Sequence, residues 1–265
     1  MKRKFITFII MCIFIMMMCT VAYADDYFDI EQLDKGIIGV TYKSDSKLKV
    51  QVTFEKKSYS YNLNNDGQKE FFPLQMGNGS YKITIYQNTT GSSYKLVDSI
   101  KVELKLDDAN KVYLNSIQSI NWEVNPKTVK KAVALTEDTE DLTEKAKILW
   151  DYMVSNNKYD NKKLATLPTT YLPVPDITLT EKTGICYDFA SLYAAMLRSK
   201  GIPAKLVKGY APNFATGYHA WNEVYDAKNK EWIVIDTTYD LQLYNEKLSI
   251  KMKKKNEDFK KVYEY

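Results

Sequence analysis

Two hydrophobic periodicities divide this chain and limit what it can fold into. Up to about residue 115, apolar side chains alternate with polar ones; beyond Asn125-Pro126 they recur at helical spacing. Leu48, Val50, Val52 and Phe54 alternate with Lys49, Gln51, Thr53 and Glu55, the period-two pattern of a strand with one buried face. Ile100, Val102, Leu104 and Leu106 repeat it, and Tyr81, Ile83 and Ile85 give a third strand. Asn64-Asn65-Asp66-Gly67 and Gly77-Asn78-Gly79 supply turns between such runs. Short strands separated by turns predict a small sandwich of immunoglobulin-like kind. Nothing in this half carries chemistry by itself, and its tyrosines read as half-buried strand residues.

In the second half, Asn125 followed by Pro126 reads as a helix start, with proline at the first helical position. Asp141-Leu142-Thr143-Glu144 resembles a capping box, and Leu142, Ala146, Leu149, Trp150 and Met153 follow at helical spacing. Residues 157–183, interrupted by Pro168, Pro173 and Pro175, read as loop-rich. Gly184-Ile185-Cys186 opens the next helix. Its stripe Ile185, Phe189, Leu192 and Met196 faces a core, and Gly201-Ile202-Pro203 ends it. The tail from Lys247 to Lys261 is lysine-rich and reads as a solvated, partly helical end, with attachment to an anionic polymer or lipid as the alternative.

The N-terminus adds an address. Met1-Lys2-Arg3-Lys4 precedes an apolar run from Phe5 to Met18, and Ala22-Tyr23-Ala24 stands before Asp25-Asp26. That order describes a secretory signal peptide over residues 1–24. The run is also long enough to serve as a membrane anchor if it stays uncleaved. Cys19, behind three methionines, is a poor lipoprotein site, so no lipid is expected there. Removing residues 1–24 lowers the net charge from +4 to +1, so the basic balance does not argue for a nucleic-acid partner. It also removes Cys12 and Cys19, leaving Cys186 as the one thiol beside the one histidine, His219. An exported chain so composed has no intramolecular disulfide and no zinc site built from Cys and His.

Cys186, in the first turn of its helix, meets unpaired N–H groups and the positive end of the helix dipole, which favour a thiolate. The plain alternative is a small buried apolar residue. His219 lies in Tyr218-His219-Ala220-Trp221-Asn222-Glu223-Val224-Tyr225, and Trp232-Ile233-Val234-Ile235-Asp236 follows after a polar link. The two runs predict an antiparallel hairpin. A loop centred between Ala227 and Lys228 puts His219 directly opposite Asp236 and Glu223 opposite Trp232. A carboxylate so placed fixes the imidazole tautomer and stabilises an imidazolium, which in turn activates a thiol. A surface His–Asp pair is the structural alternative, Trp221 and Trp232 read as core, and Glu223 is either a supporting charge or a solvated strand residue.

Gly184-Ile185-Cys186-Tyr187-Asp188-Phe189-Ala190 and Leu197-Arg198-Ser199-Lys200-Gly201-Ile202-Pro203-Ala204 together resemble the core of the transglutaminase-like superfamily. His219-Ala220-Trp221-Asn222-Glu223-Val224 and Trp232-Ile233-Val234-Ile235-Asp236 match it in order and spacing. The resemblance spans roughly residues 125–240. It implies a papain-like α+β core, with Cys on a helix and His and Asp on adjoining strands; the all-β sandwich read from periodicity precedes it and lies outside the resemblance. The expected domains are 1–24 signal peptide, 25–118 β sandwich and 119–265 catalytic. It further implies a Cys-His-Asp triad of Cys186, His219 and Asp236. No clustered acidic calcium loop is present, so neither metal nor cofactor is expected.

The chemistry so implied is acyl transfer on a carboxamide, such as a glutamine side chain, resolved by an amine or by water. A cysteine peptidase or amidase acting on cell-wall or surface peptides is the alternative enzyme, and a surface binding module is the non-enzymatic one. The expected partner is a protein or peptide substrate outside the cell or on its surface. Membrane contact is expected only through an uncleaved N-terminal segment.

Overall fold

The computed structural model describes residues 27–212 and 217–265. The expected signal segment, with Cys12 and Cys19, lies outside the described residues.

The N-terminal part is a small β domain of two antiparallel sheets. Strands β1 (Phe28–Asp29), β2 (Ile37–Val40) and β5 (Glu70–Pro73) form one, in the order β1-β2-β5. The other runs β4-β3-β6-β7, from β3 (Leu48–Phe54), β4 (Lys57–Leu63), β6 (Gly79–Asn88) and β7 (Tyr94–Leu104). The alternation read from sequence is the reason these sheets close on one core. Val50 and Val52 of β3 pair with Ile85 and Ile83 of β6, and with Leu48 they share one core with Ile38, Val40 and Phe72 from the opposite sheet. Each such side chain, fully buried, contributes about 1.5–3 kcal/mol. Tyr81 puts its hydroxyl among the turn's backbone groups, 3.0 Å from Leu74 O and 2.7 Å from Gly77 O, and accepts from the Met76 N–H. Leu106, counted with the β7 pattern, falls just beyond the strand.

A short 3-10 stretch, Ala109–Leu114, leads into an α+β part. Its elements are α1 (Pro126–Leu135), α2 (Leu142–Asn156), β8 (Lys158–Tyr159), α3 (Asn161–Thr166), α4 (Pro175–Glu181), β9 (Thr183–Gly184) and α5 (Cys186–Ser199). They are followed by β10 (Ala204–Tyr210), β11 (Tyr218–Asp226), β12 (Glu231–Ile235), α6 (Thr237–Asn245), β13 (Lys253–Lys254) and β14 (Lys260–Glu264). The five-stranded antiparallel sheet has the order β13-β12-β11-β10-β14. Ile117 and Ile120, together with Ile37 from β2, join the core between this sheet and its helices.

One of the two helix starts is capped differently from the sequence reading. Asn125 does not cap α1 with its own side chain; the cap comes from Asp176 of α4, which accepts from Lys127 N and Thr128 N. Asn125 Oδ1 returns the favour by accepting from Asp176 N. Asp141 does cap α2, accepting from Thr143 N at 2.8 Å and Glu144 N at 2.9 Å. The stretch 157–183, expected as loop, holds α3 and α4, with Pro175 at the first position of α4.

Helix α5 is buried on every side, not along one stripe. Ala190, Ser191, Tyr193, Ala194, Ala195, Leu197 and Arg198 are as buried as Phe189, Leu192 and Met196. It runs between the sheet strands β10 and β11 and the helices α1, α2, α4 and α6. Its small residues Ala190, Ala194 and Ala195 are what admit neighbours on all sides.

The lysine-rich tail is largely exposed, as expected, but it forms strands at the sheet edges. It contributes β13 at one edge of the sheet and β14 at the other, and its helical content is one 3-10 turn, Asn256–Asp258. Without β14 the edge of β10 would expose a row of unpaired backbone groups. Lys253 meets Glu231, Lys254 meets Asp240, and Lys261 meets Glu223 and Glu264, so part of the charge run is paired.

Candidate active site

Cys186 is the first residue of α5, and the way the chain enters that helix fixes it. Strand β8 pairs in parallel with β9, setting Tyr159 beside Gly184. The cap residue, Ile185, has no side-chain acceptor to offer the first-turn N–H groups. Asp188, in the third helical position, reaches back instead and accepts from Ile185 N at 2.9 Å. Gly184 is required by this close approach, since a Cβ there would lie 2.9 Å from the Asp188 side chain.

Asp188 is fully buried and its charge is answered locally. Lys163 of α3 meets Oδ2 at 2.7 Å, and the Tyr171 hydroxyl donates to Oδ1. One carboxylate therefore ties the α3–α4 segment to the helix end that carries the thiol. Asp188 stood in the quoted motif, but its spacing gave no sign of Lys163 and Tyr171 as partners.

His219 lies on β11 with 2% of its surface exposed. Its Nε2 is 2.9 Å from Oδ2 of Asp236, which is 1% exposed. The thiol of Cys186 makes a further hydrogen bond to the ring. With Nε2 committed to the carboxylate, Nδ1 is the nitrogen left for sulfur. All three residues singled out from sequence are thus brought together. Burial works against a charged imidazole here, but the charge and hydrogen bond of Asp236, joined by those of Cys186, outweigh it and raise His219 to about 9. Trp221 stacks along the His219 ring at 6.5 Å between centroids, and as a buried residue it is core, as expected.

The register is not the one expected. Asn222 pairs with Ile235, Glu223 with Val234 and Asp226 with Glu231, so the loop is Ala227–Lys230 and its centre lies one residue further on. Asp226 holds the turn by accepting from Lys228 N and Asn229 N, and Lys230 takes a left-handed conformation with φ 56°. Glu223 therefore faces Val234, not Trp232, and its carboxylate is taken up by Lys261 at 2.8 and 3.0 Å. Asp236 is no longer in the ladder but is the N-cap of α6, with Oδ1 accepting from Tyr239 N at 3.0 Å. The two-residue change in register keeps His219 and Asp236 on one face as a diagonal pair, so they remain in contact. The cap and the hydrogen bond to His219 use different oxygens of one carboxylate.

Tyr159 and Lys208 lie near the thiol, and Asn222 braces its helix. Tyr159 is raised to about 12, chiefly by burial and then by the charges of Cys186 and Asp188. Asn222 donates to Ala190 O and Lys205 O, tying α5 to the sheet. Lys208 of β10 sets its ammonium 3.5 Å from the centroid of Tyr187, the residue after the thiol. Burial lowers Lys208 to about 8, with the charge of Cys186 opposing the drop. Among the described residues, no group of three or more His, Cys, Asp or Glu is arranged to hold a metal ion. Among the same residues, no helix is long and apolar enough to cross a membrane.

This part of the chain matches known sequences. Residues 129–237 match the model of the transglutaminase-like superfamily core. An uncharacterized protein of Bacillus subtilis, YebA, is 27% identical over 176 residues, covering 60% of this chain and 23% of its own length, so the chain spans under a quarter of that relative. Among solved structures, a candidate cysteine protease from Cytophaga hutchinsonii aligns at 17% identity with a TM-score of 0.48, covering 85% of this chain and 73% of its own. The periplasmic domain of TgpA from Pseudomonas aeruginosa aligns at 17% identity with a TM-score of 0.41, covering 77% and 69%. The segment that matches the transglutaminase-like superfamily core, residues 129–237, holds the thiol, the imidazole and the capping carboxylate in order.

Proposed function

We propose that this protein is a secreted or surface-held thiol enzyme that transfers the acyl group of a carboxamide through Cys186, His219 and Asp236. The observation carrying the reading is a single imidazole bonded on one nitrogen to a buried carboxylate and hydrogen-bonded to the thiol at the N-terminus of α5. Cys186 as thiolate attacks the carboxamide carbon. The Cys186 N–H, in the uncapped first turn, is a donor for the oxyanion that forms. His219 gives its proton to the nitrogen as the C–N bond breaks, and ammonia leaves. Asp236 keeps the imidazole oriented throughout. An amine or water then attacks the thioester, His219 accepts its proton, and the thiolate is released. The small β domain, read as an immunoglobulin-like sandwich, stands beside this site as a candidate surface for the protein or peptide substrate.

Labelled-amine incorporation into a glutamine-containing protein tests the reading, with Cys186→Ala as control. Incorporation that disappears in the variant supports transfer. Peptide cleavage or ammonia release without incorporation favours the peptidase or amidase, which uses the same three residues. Equal reactivity of Cys186 toward iodoacetamide in wild type and His219→Ala, with no covalent intermediate, would leave a binding module as the better description.

A further inference from the structure

Lys208 is a half-buried lysine that feels the charge of Cys186 but meets no carboxylate among the described residues. It pairs with Ala220 in the β10–β11 ladder, one residue before the Gly209–His219 pair. Its ammonium covers the ring of Tyr187 at 3.5 Å and lies 5.4 Å from that of Tyr265. Among the described residues it has no carboxylate partner and no hydrogen-bond acceptor. Other lysines drawn into this part of the molecule are treated differently: Lys163 meets Asp188 at 2.7 Å, Lys205 meets Glu264 at 3.2 Å and Lys254 meets Asp240 at 2.5 Å. Aromatic faces give a cation some return for lost water, but they leave its three N–H donors unused. A buried charge without a counter-charge is costly, and an active site is where a ligand can supply one.

Resting on the thiol-enzyme reading above, we infer that Lys208 is a specificity-determining residue that binds a carboxylate of the acyl donor beside the scissile carboxamide. The position fits, because the ammonium lies over the residue that follows Cys186, and the acyl carbon must come to the Cys186 sulfur. A carboxylate there would accept from the ammonium and relieve its burial. A neutral donor would leave the charge unanswered, and a cationic one would be repelled. Two sources share this chemistry: the α-carboxylate of a chain end, and the side chain of a neighbouring aspartate or glutamate. A second role for the same lysine, steadying the Cys186 thiolate, would act on every electrophile alike and so differs in its signature.

Matched alkylating agents read the difference on the full chain without a known substrate. Iodoacetate carries the carboxylate and iodoacetamide does not, while both report attack by the same sulfur. In Lys208→Met the iodoacetate rate should fall about tenfold more than the iodoacetamide rate, and Lys208→Arg should keep the wild-type ratio. Protection of Cys186 by glutamine peptides then separates the sources, comparing free with amidated C-termini and glutamate with glutamine neighbours. Preferential protection by either carboxylate-bearing member, lost in Lys208→Met, supports the inference. An unchanged rate ratio in Lys208→Met overturns it, as does a parallel fall of both rates, which would mark a thiolate-steadying role. A wild-type iodoacetamide rate no faster than that of glutathione would instead overturn the thiol-enzyme reading, and the inference with it.

Discussion

His219 stands between a carboxylate and a thiol, and its proton depends on both. In the unfolded chain its pKa is near 6.5, and in the fold it is about 9. A raised folded value means that the stabilisation is fully present below about pH 6.5 and is lost as pH rises through about 9. The shift corresponds to on the order of 3 kcal/mol. Asp236→Asn removes the favourable charge, so urea denaturation at about pH 6 and about pH 10 should show a clear loss in wild type and a much flatter profile in the variant. The same substitution should slow iodoacetamide at neutral pH by one to two orders of magnitude, since a less basic imidazole holds less thiolate. Equal pH profiles for the two proteins would refute the assignment of Asp236. At this scale the sequence was legible. Cys186 and His219 were identifiable because thiols and imidazoles are few, and Asp236, one of 33 acidic residues, because the hairpin brings it within reach of His219. Lys208 was not, because one lysine among many carries no mark of what will bury it.

Among the elements, α5 carries the thiol, and Asp188 holds its first turn. Replacing Asp188 by Ala removes the acceptor for Ile185 N and leaves Lys163 and Tyr171 without their partner. The expected cost is about 3 kcal/mol, measured by chemical denaturation. Amide hydrogen exchange should quicken through residues 161–174, which that carboxylate ties down. A variant as stable as wild type, with unchanged exchange there, would show that the segment is held by something else. Helix α5 itself was readable from its spacing. Its all-round burial was not, because a stripe of four apolar residues looks the same whether one face or all faces are covered. The β11–β12 register shows the other limit. The turn is closed by Asp226 and by Lys230 in a left-handed conformation, without the glycine that ordinarily marks such a position.

Over the whole molecule, β14 joins the two cores. Gln75 of the β domain donates to Glu264 O at 3.0 Å, and Tyr265 packs edge-on against Tyr59 and Tyr61. From the other side Arg198, buried in α5, donates to Tyr265 O, Asn115 O and Ala204 O. Gly209 allows the strand to approach, since a Cβ there would meet Lys260 O at 2.1 Å. All four tryptophans, Trp122, Trp150, Trp221 and Trp232, lie in the second part, so their fluorescence reports that part alone. In the full chain, tryptophan fluorescence and far-UV circular dichroism should follow one urea transition. Deleting residues 259–265 should separate the two curves, with fluorescence changing at lower urea. Coincident curves after the deletion would mean that the cores are coupled without β14.

By itself the sequence determined the elements and the chemical groups: alternation for the strands, helical spacing and Asp141 for α2, a thiol at a helix start, an imidazole and a carboxylate on a hairpin. These follow from residues within a few positions of one another, where local sterics and periodicity act. The tertiary structure alone decided the register that makes Asp236 a cap as well as a partner of His219. It also turned the lysine-rich tail into two sheet edges and brought Lys208 over Tyr187. Each of these depends on groups far apart in the chain meeting across a closed loop, and the free energy of such meetings is set by packing and burial that no local pattern encodes.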